Sequence, residues 1–116
     1  SLVISSKTHA PSFEQLEDIY VLELRSISKD IISALSKAFQ PDRFNFSSLG
    51  NLGDNPHFHM HLMPRYKTPR EFAGLTWTDY LFTEESTRGK PPNFELGKTP
   101  HEVISAVRGG LKKYFY

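Results

Sequence analysis

The chain has 116 residues, 38% of them hydrophobic, which predicts one domain with a real core and leaves no room for two. A net charge of +1 supplies no broad cationic surface, so neither nucleic acid nor membrane is an expected partner and any phosphate contact must be local. Without cysteine there is no disulfide, thiolate nucleophile or cysteine-ligated zinc site, and no apolar run nears the roughly 20 residues of a membrane span, so a soluble, cytoplasmic setting is expected.

The chain opens on Ser1 and runs at once into Leu2-Val3-Ile4, which predicts the tail of a buried strand, left by a loop from Ser5 to Pro11 that carries His9. By itself a loop histidine reads as solvated surface. Ser12 with Gln15 three residues on fits a capping box and predicts a helix from Ser12 or Phe13. Leu16, Tyr20, Leu24, Ile27, Ile31, Leu35 and Phe39 then trace one apolar stripe over about seven turns, until Pro41 stops it. Glu14, Glu17 and Asp18 favour the positive end of that helix.

Phe44, Phe46 and Ser48 alternate with Asn45, Ser47 and Leu49, a second strand, and Gly50 to Asn55 is a turn suited to joining antiparallel neighbours. The next segment, from His57, alternates again until Pro64, so the two strands are expected to pair. From Lys67 to Lys98 the signals weaken among Gly74, Gly89, Pro91, Pro92 and Gly97. A short strand or helical turn is expected around Phe72 to Phe82, with Trp77 either satellite core or a ligand cover. Thr99-Pro100-His101-Glu102 is a second capping box, and Val103, Val107, Leu111 and Tyr114 form the stripe of a last helix, weakened by Gly109-Gly110.

Chemistry concentrates between Asn51 and Tyr66. His57, His59 and His61 alternate with Phe58, Met60 and Leu62, and a strand's period of two sets the imidazoles on one face and the apolar side chains on the other. Each imidazole wants polar partners at both ring nitrogens, so three in a row suit a site better than a structural surface.

The pattern His57-Phe58-His59-Met60-His61-Leu62-Met63 resembles the histidine triad family of nucleotidyl hydrolases and transferases. Leu49-Gly50-Asn51 is similar to that family's Gly-Asn turn, the segment from Leu2 to His9 to its strand and loop histidine, and Pro64-Arg65 to the residues after its triad. The resemblance covers roughly residues 2 to 66. It implies an α+β fold with an antiparallel sheet near residues 2 to 5, 44 to 49 and 57 to 63 and the long helix packed on one face. Relatives carry a helix and two strands ahead of this segment that supply much of the purine and ribose pocket, so a single domain over residues 1 to 116, short at its N-terminus, is expected. Ser5 stands where proline is usual, and the turn after Asn51 is longer than in short-loop relatives.

The implied activity is hydrolysis or transfer at the α-phosphate of a dinucleoside polyphosphate or nucleoside phosphoramidate, with no cofactor, no metal and a homodimeric assembly. The implied nucleophile is His59, with His61 on the leaving atom and His57 joined to His9 as a proton relay. Asn51, Gly50, Asn55 and Arg65 are implied to face the substrate. A rival is zinc held by His-x-His, but histidines two apart on a strand stand about 6.6 Å apart and those four apart about 13 Å, so three on one ion would strain bonds of about 2.0 Å. A third reading is a nucleotide-binding protein that has lost turnover.

Overall fold

The structure, a computed structural model, describes residues 1–49, 56–79, 82 and 100–115. Its elements run β1 (Leu2–Ser5), a 3-10 turn (Phe13–Gln15), α1 (Asp18–Phe39), β2 (Arg43–Ser47), β3 (His59–Arg65), β4 (Arg70–Phe72), β5 (Leu75–Trp77) and α2 (His101–Phe115). This is the expected α+β class. The chain parts into two compact units, Ser1–Ser33 with Arg43–Pro64 and Ala34–Asp42 with Arg65–Tyr116.

In the first unit the sheet order is β1-β3-β2, so the histidine strand is central and pairs with β2, as the short connection between the two in sequence predicts. β1 pairs β3 antiparallel with Leu2 opposite Leu62, Val3 opposite His61, Ile4 opposite Met60 and Ser5 opposite His59. Cross-strand partners share a face, so Leu2, Ile4, Met60 and Leu62 lie on one side and Val3, Ser5, His59 and His61 on the other. Leu62 is fully buried, and Phe58 and Ala10 nearly so.

Both strands differ from their expected bounds. β2 ends at Ser47, and β3 begins at His59 because Phe58 sends its N–H to the Ala10 carbonyl at 2.7 Å instead of into the ladder. β3 also runs through Pro64 to Arg65. The pairs with β1 stop at Leu62, so on that side the missing N–H of Pro64 breaks no bond.

The first capping box does not start α1. The Ser12 hydroxyl goes to the Glu14 carboxylate, Leu16 turns extended at φ −70° and ψ 136°, and the turn closes after three residues. That hydroxyl holds the Glu14 carboxyl below its ordinary range. The helix restarts with Tyr20 and Val21 donating to the Glu17 carbonyl. Leu16 therefore leaves the stripe. Ile27 is partly exposed while Ser28 is 8% exposed, because Ser28 falls four residues after Leu24 and three before Ile31, on the helix's central covered line.

In the second unit, Gln40 closes α1 at φ +47°, its N–H donating to the Ser36 carbonyl at 3.1 Å, which is a left-handed C-cap followed by Pro41. Residues 70–77 form a β-hairpin whose two turn residues, Ala73 and Gly74, both have positive φ, as a type I′ turn requires. Trp77 belongs to that hairpin, and its indole N–H donates to the Phe72 carbonyl. Phe39 and Phe72 meet edge to face at 5.2 Å, and Gly110 of α2 lies against both, where a Cβ would stand 3.4 Å from Phe39. Ala34, Leu35, Val103 and Leu111 are buried, whereas Tyr114, the last expected member of the α2 stripe, is exposed.

Candidate functional site

The site is built on the entry to β3 and on the loop after β1, both in the first unit. His59 and His61 project from the same face of β3, their rings 5.2 Å apart and at 77°, so one stands edge-on to the other. His57 precedes the strand. Its Nε2 lies 2.9 Å from the Ser6 carbonyl, and its Nδ1 lies 3.2 Å from Nδ1 of His9, the two rings stacked at 5.3 Å.

These partners assign protons. A carbonyl oxygen only accepts, so Nε2 of His57 carries hydrogen, and in the neutral ring its Nδ1 is a bare acceptor for Nδ1–H of His9. Nδ1 of His59 lies 3.1 Å from the carbonyl of His57, which by the same rule makes it the N–H nitrogen and leaves Nε2 of His59 bare. A ring so held presents one lone pair in one direction, which is what an imidazole nucleophile requires.

Of the residues singled out in the sequence, the structure brings His9 and His57 together and sets His59 and His61 side by side. Gly50, Asn51 and Asn55 lie outside the described residues. Arg65 ends β3 in the second unit, where Nε and Nη2 of its guanidinium grip Asp79 at 2.6 and 2.9 Å in a largely covered bidentate pair. The same carboxylate accepts the Tyr66 N–H at 3.1 Å. Burial pushes the Tyr66 hydroxyl above its ordinary range, with Arg70 pulling it down and Asp42 adding to the rise. Among the described residues no three His, Cys, Asp or Glu converge as a metal site would require, and no helix is long and apolar enough to cross a membrane.

A family model, the HIT domain, matches residues 1–68, more than half of the chain. The chain belongs to the HIT domain family. No curated protein and no solved structure matches it. Within this HIT domain the polar partners that periodicity could not reveal are Ser5, the Ser6 carbonyl and Ser48, and in the second unit Asp79. Alternation groups Ser48 with Phe44 and Phe46 on one strand face, but β2 stops at Ser47 and the Ser48 hydroxyl donates to the His59 carbonyl at 2.9 Å. Asp79 carries no spacing signal at all. Only the folded chain brings it to Arg65, fourteen residues earlier.

Proposed function

We propose that this HIT domain chain acts in the cytoplasm as a homodimeric nucleotide hydrolase or nucleotidyl transferase, cleaving a phosphoanhydride or phosphoramidate at the α-phosphate through a nucleotidyl-histidine intermediate. The observation that carries the reading is the 3.1 Å contact of His59 Nδ1 with the His57 carbonyl, which leaves Nε2 as a bare, aimed nucleophile. In the first step Nε2 of His59 bonds to the α-phosphorus as the bond to the bridging oxygen or nitrogen breaks, and the leaving atom takes a proton from His61, which regains one from the attacking water in the second step. In the second, water breaks the phosphorus–nitrogen bond and releases the nucleotide. An acceptor other than water would make the same chemistry a transfer.

The Nδ1–H of His59 gains positive character when Nε2 is substituted, so its bond to the His57 carbonyl strengthens in the step that needs it. The His9–His57 pair, with one proton between two Nδ1 atoms and an Nε2–H on the Ser6 carbonyl, serves as the proton relay. By family resemblance Asn51, Gly50 and Asn55 contribute donors to phosphate oxygens.

The test is rapid quench of the protein with a dinucleoside polyphosphate. An acid-labile nucleotidyl adduct is expected on the wild type and absent in His59→Ala, which loses turnover while still binding nucleotide. Activity is expected to survive a strong chelator. Loss on chelation with recovery on adding zinc would overturn the reading in favour of a metal site, and tight nucleotide binding with neither adduct nor turnover would leave a binding protein.

A further inference from the structure

Three successive carbonyls at the mouth of β3 each accept a hydrogen bond from a side chain. That of His57 accepts from Nδ1 of His59 at 3.1 Å, that of Phe58 from the Ser5 hydroxyl at 3.3 Å, and that of His59 from the Ser48 hydroxyl at 2.9 Å. Ser5 ends β1 and Ser48 follows β2, the two strands that flank β3, so the hydroxyls come from its opposite sides.

The carbonyl of Phe58 belongs to the peptide plane before the His59 Cα, and the carbonyl of His59 to the plane after it. Two planes meeting at one Cα define its φ and ψ. Those angles in turn decide whether the His59 ring can reach back to the carbonyl of His57, two residues earlier. Ladder bonds do not do this work at Phe58, which precedes the first residue of β3 and gives its own N–H to Ala10.

We infer that Ser5 and Ser48 are positioning residues that clamp the backbone on both sides of His59 and so hold its ring in the Nδ1–H tautomer with Nε2 presented to substrate. The inference rests on the reading of His59 as nucleophile. Ser48 is the stronger arm. The single hydroxyl proton of Ser5 also has the Ser6 carbonyl at 3.5 Å as a competing acceptor, so its hold on Phe58 is partial. Neither serine touches the reacting atoms. Their loss should lower the rate of the bound complex without altering its affinity.

The experiment uses the full chain labelled with 15N-histidine, free of nucleotide, together with steady-state kinetics on a dinucleoside polyphosphate. The variants are Ser5→Ala, Ser48→Ala, both together, and Ser48→Thr, which keeps the hydroxyl. Ser48→Ala should lower kcat about tenfold with KM within about twofold, Ser5→Ala about threefold, and the double variant about thirtyfold, since small misplacements of a nucleophile carry losses of up to about 10²-fold. The His59 imidazole spectrum should show the Nδ1–H tautomer in the wild type and a mixture of tautomers in the double variant, and Ser48→Thr should restore both readouts. Ser48 is exposed, so its alanine variant should melt close to the wild type.

A double variant with wild-type kcat and an unshifted His59 spectrum would overturn the clamp, as would a rise in KM alone or a lowered melting temperature with the spectrum unmoved. If the wild type turns over no nucleotide the proposed activity fails separately, and the tautomer still decides for or against the serines.

Discussion

His9 shows how much one residue's meaning depends on its neighbour. In the sequence it stands in a loop and reads as solvated surface, yet its Nδ1 lies 3.2 Å from that of His57, whose other nitrogen is committed to the Ser6 carbonyl. In a neutral His57, Nδ1 is therefore the accepting nitrogen, and Nδ1–H of His9 donates to it. Loss of a positioned acid–base group costs on the order of 10²-fold or more, so His9→Ala should cut kcat by that factor while nucleotide affinity stays within about twofold. His57→Ala combined with it should add little, because the two rings act as one unit. Single-turnover rates of the two variants and of the pair check this, and a His9→Ala rate within about twofold of the wild type would remove His9 from the site.

At the scale of elements, the end of α1 stores strain that no pattern in the sequence announces. Gln40 holds φ +47°, a region that costs a side-chain-bearing residue about 1–2 kcal/mol relative to its ordinary conformations. Glycine adopts it freely, and the capping bond to Ser36 uses only the backbone, so Gln40→Gly should raise stability by about 1 kcal/mol in denaturant unfolding. An unchanged or lowered midpoint would mean that the Gln40 side chain contributes more than the backbone strain removes. The same element shows what could be read beforehand. The existence of the helix, its covered line from Tyr20 to Phe39 apart from Ile27, and its stop at Pro41 were legible from apolar spacing, as were the histidine strand, its pairing with β2 and the face that buries Leu62. Its start was not, because the Ser12 hydroxyl could serve either a backbone N–H or the Glu14 carboxylate, and sequence does not choose between them. In the site, the histidines were legible by period and by family resemblance, whereas Ser5 and Ser48 act through hydroxyl-to-carbonyl bonds that leave no periodic trace.

At the scale of the whole molecule the matter is assembly, and two apolar surfaces among the described residues of the first unit make different forecasts. One is the edge of the sheet at β2, where Phe46 is 49% exposed beside an apolar groove floored by Val21, Leu24, Ile32 and Met60. The other is on α1, where Ile19 and Leu22, neighbours one turn apart, are 66% and 67% exposed as a two-residue pair. Among the described residues β2 is an edge strand, and an edge flanked by apolar surface is a template for pairing, whereas a two-residue apolar pair on a helix is too small a patch to be one. A two-fold axis beside β2 would pair that strand antiparallel with its own copy and cover Phe46 on both sides at once, an isologous contact that closes at two subunits. The proposed homodimer should therefore sediment as a dimer at micromolar concentration. Phe46→Glu should sediment as a monomer with its far-ultraviolet circular dichroism retained, and Leu22→Glu should remain dimeric. A wild type that sediments cleanly as a monomer would remove the dimer. A dimer broken by Leu22→Glu and not by Phe46→Glu would move the interface to the Ile19 and Leu22 pair on α1.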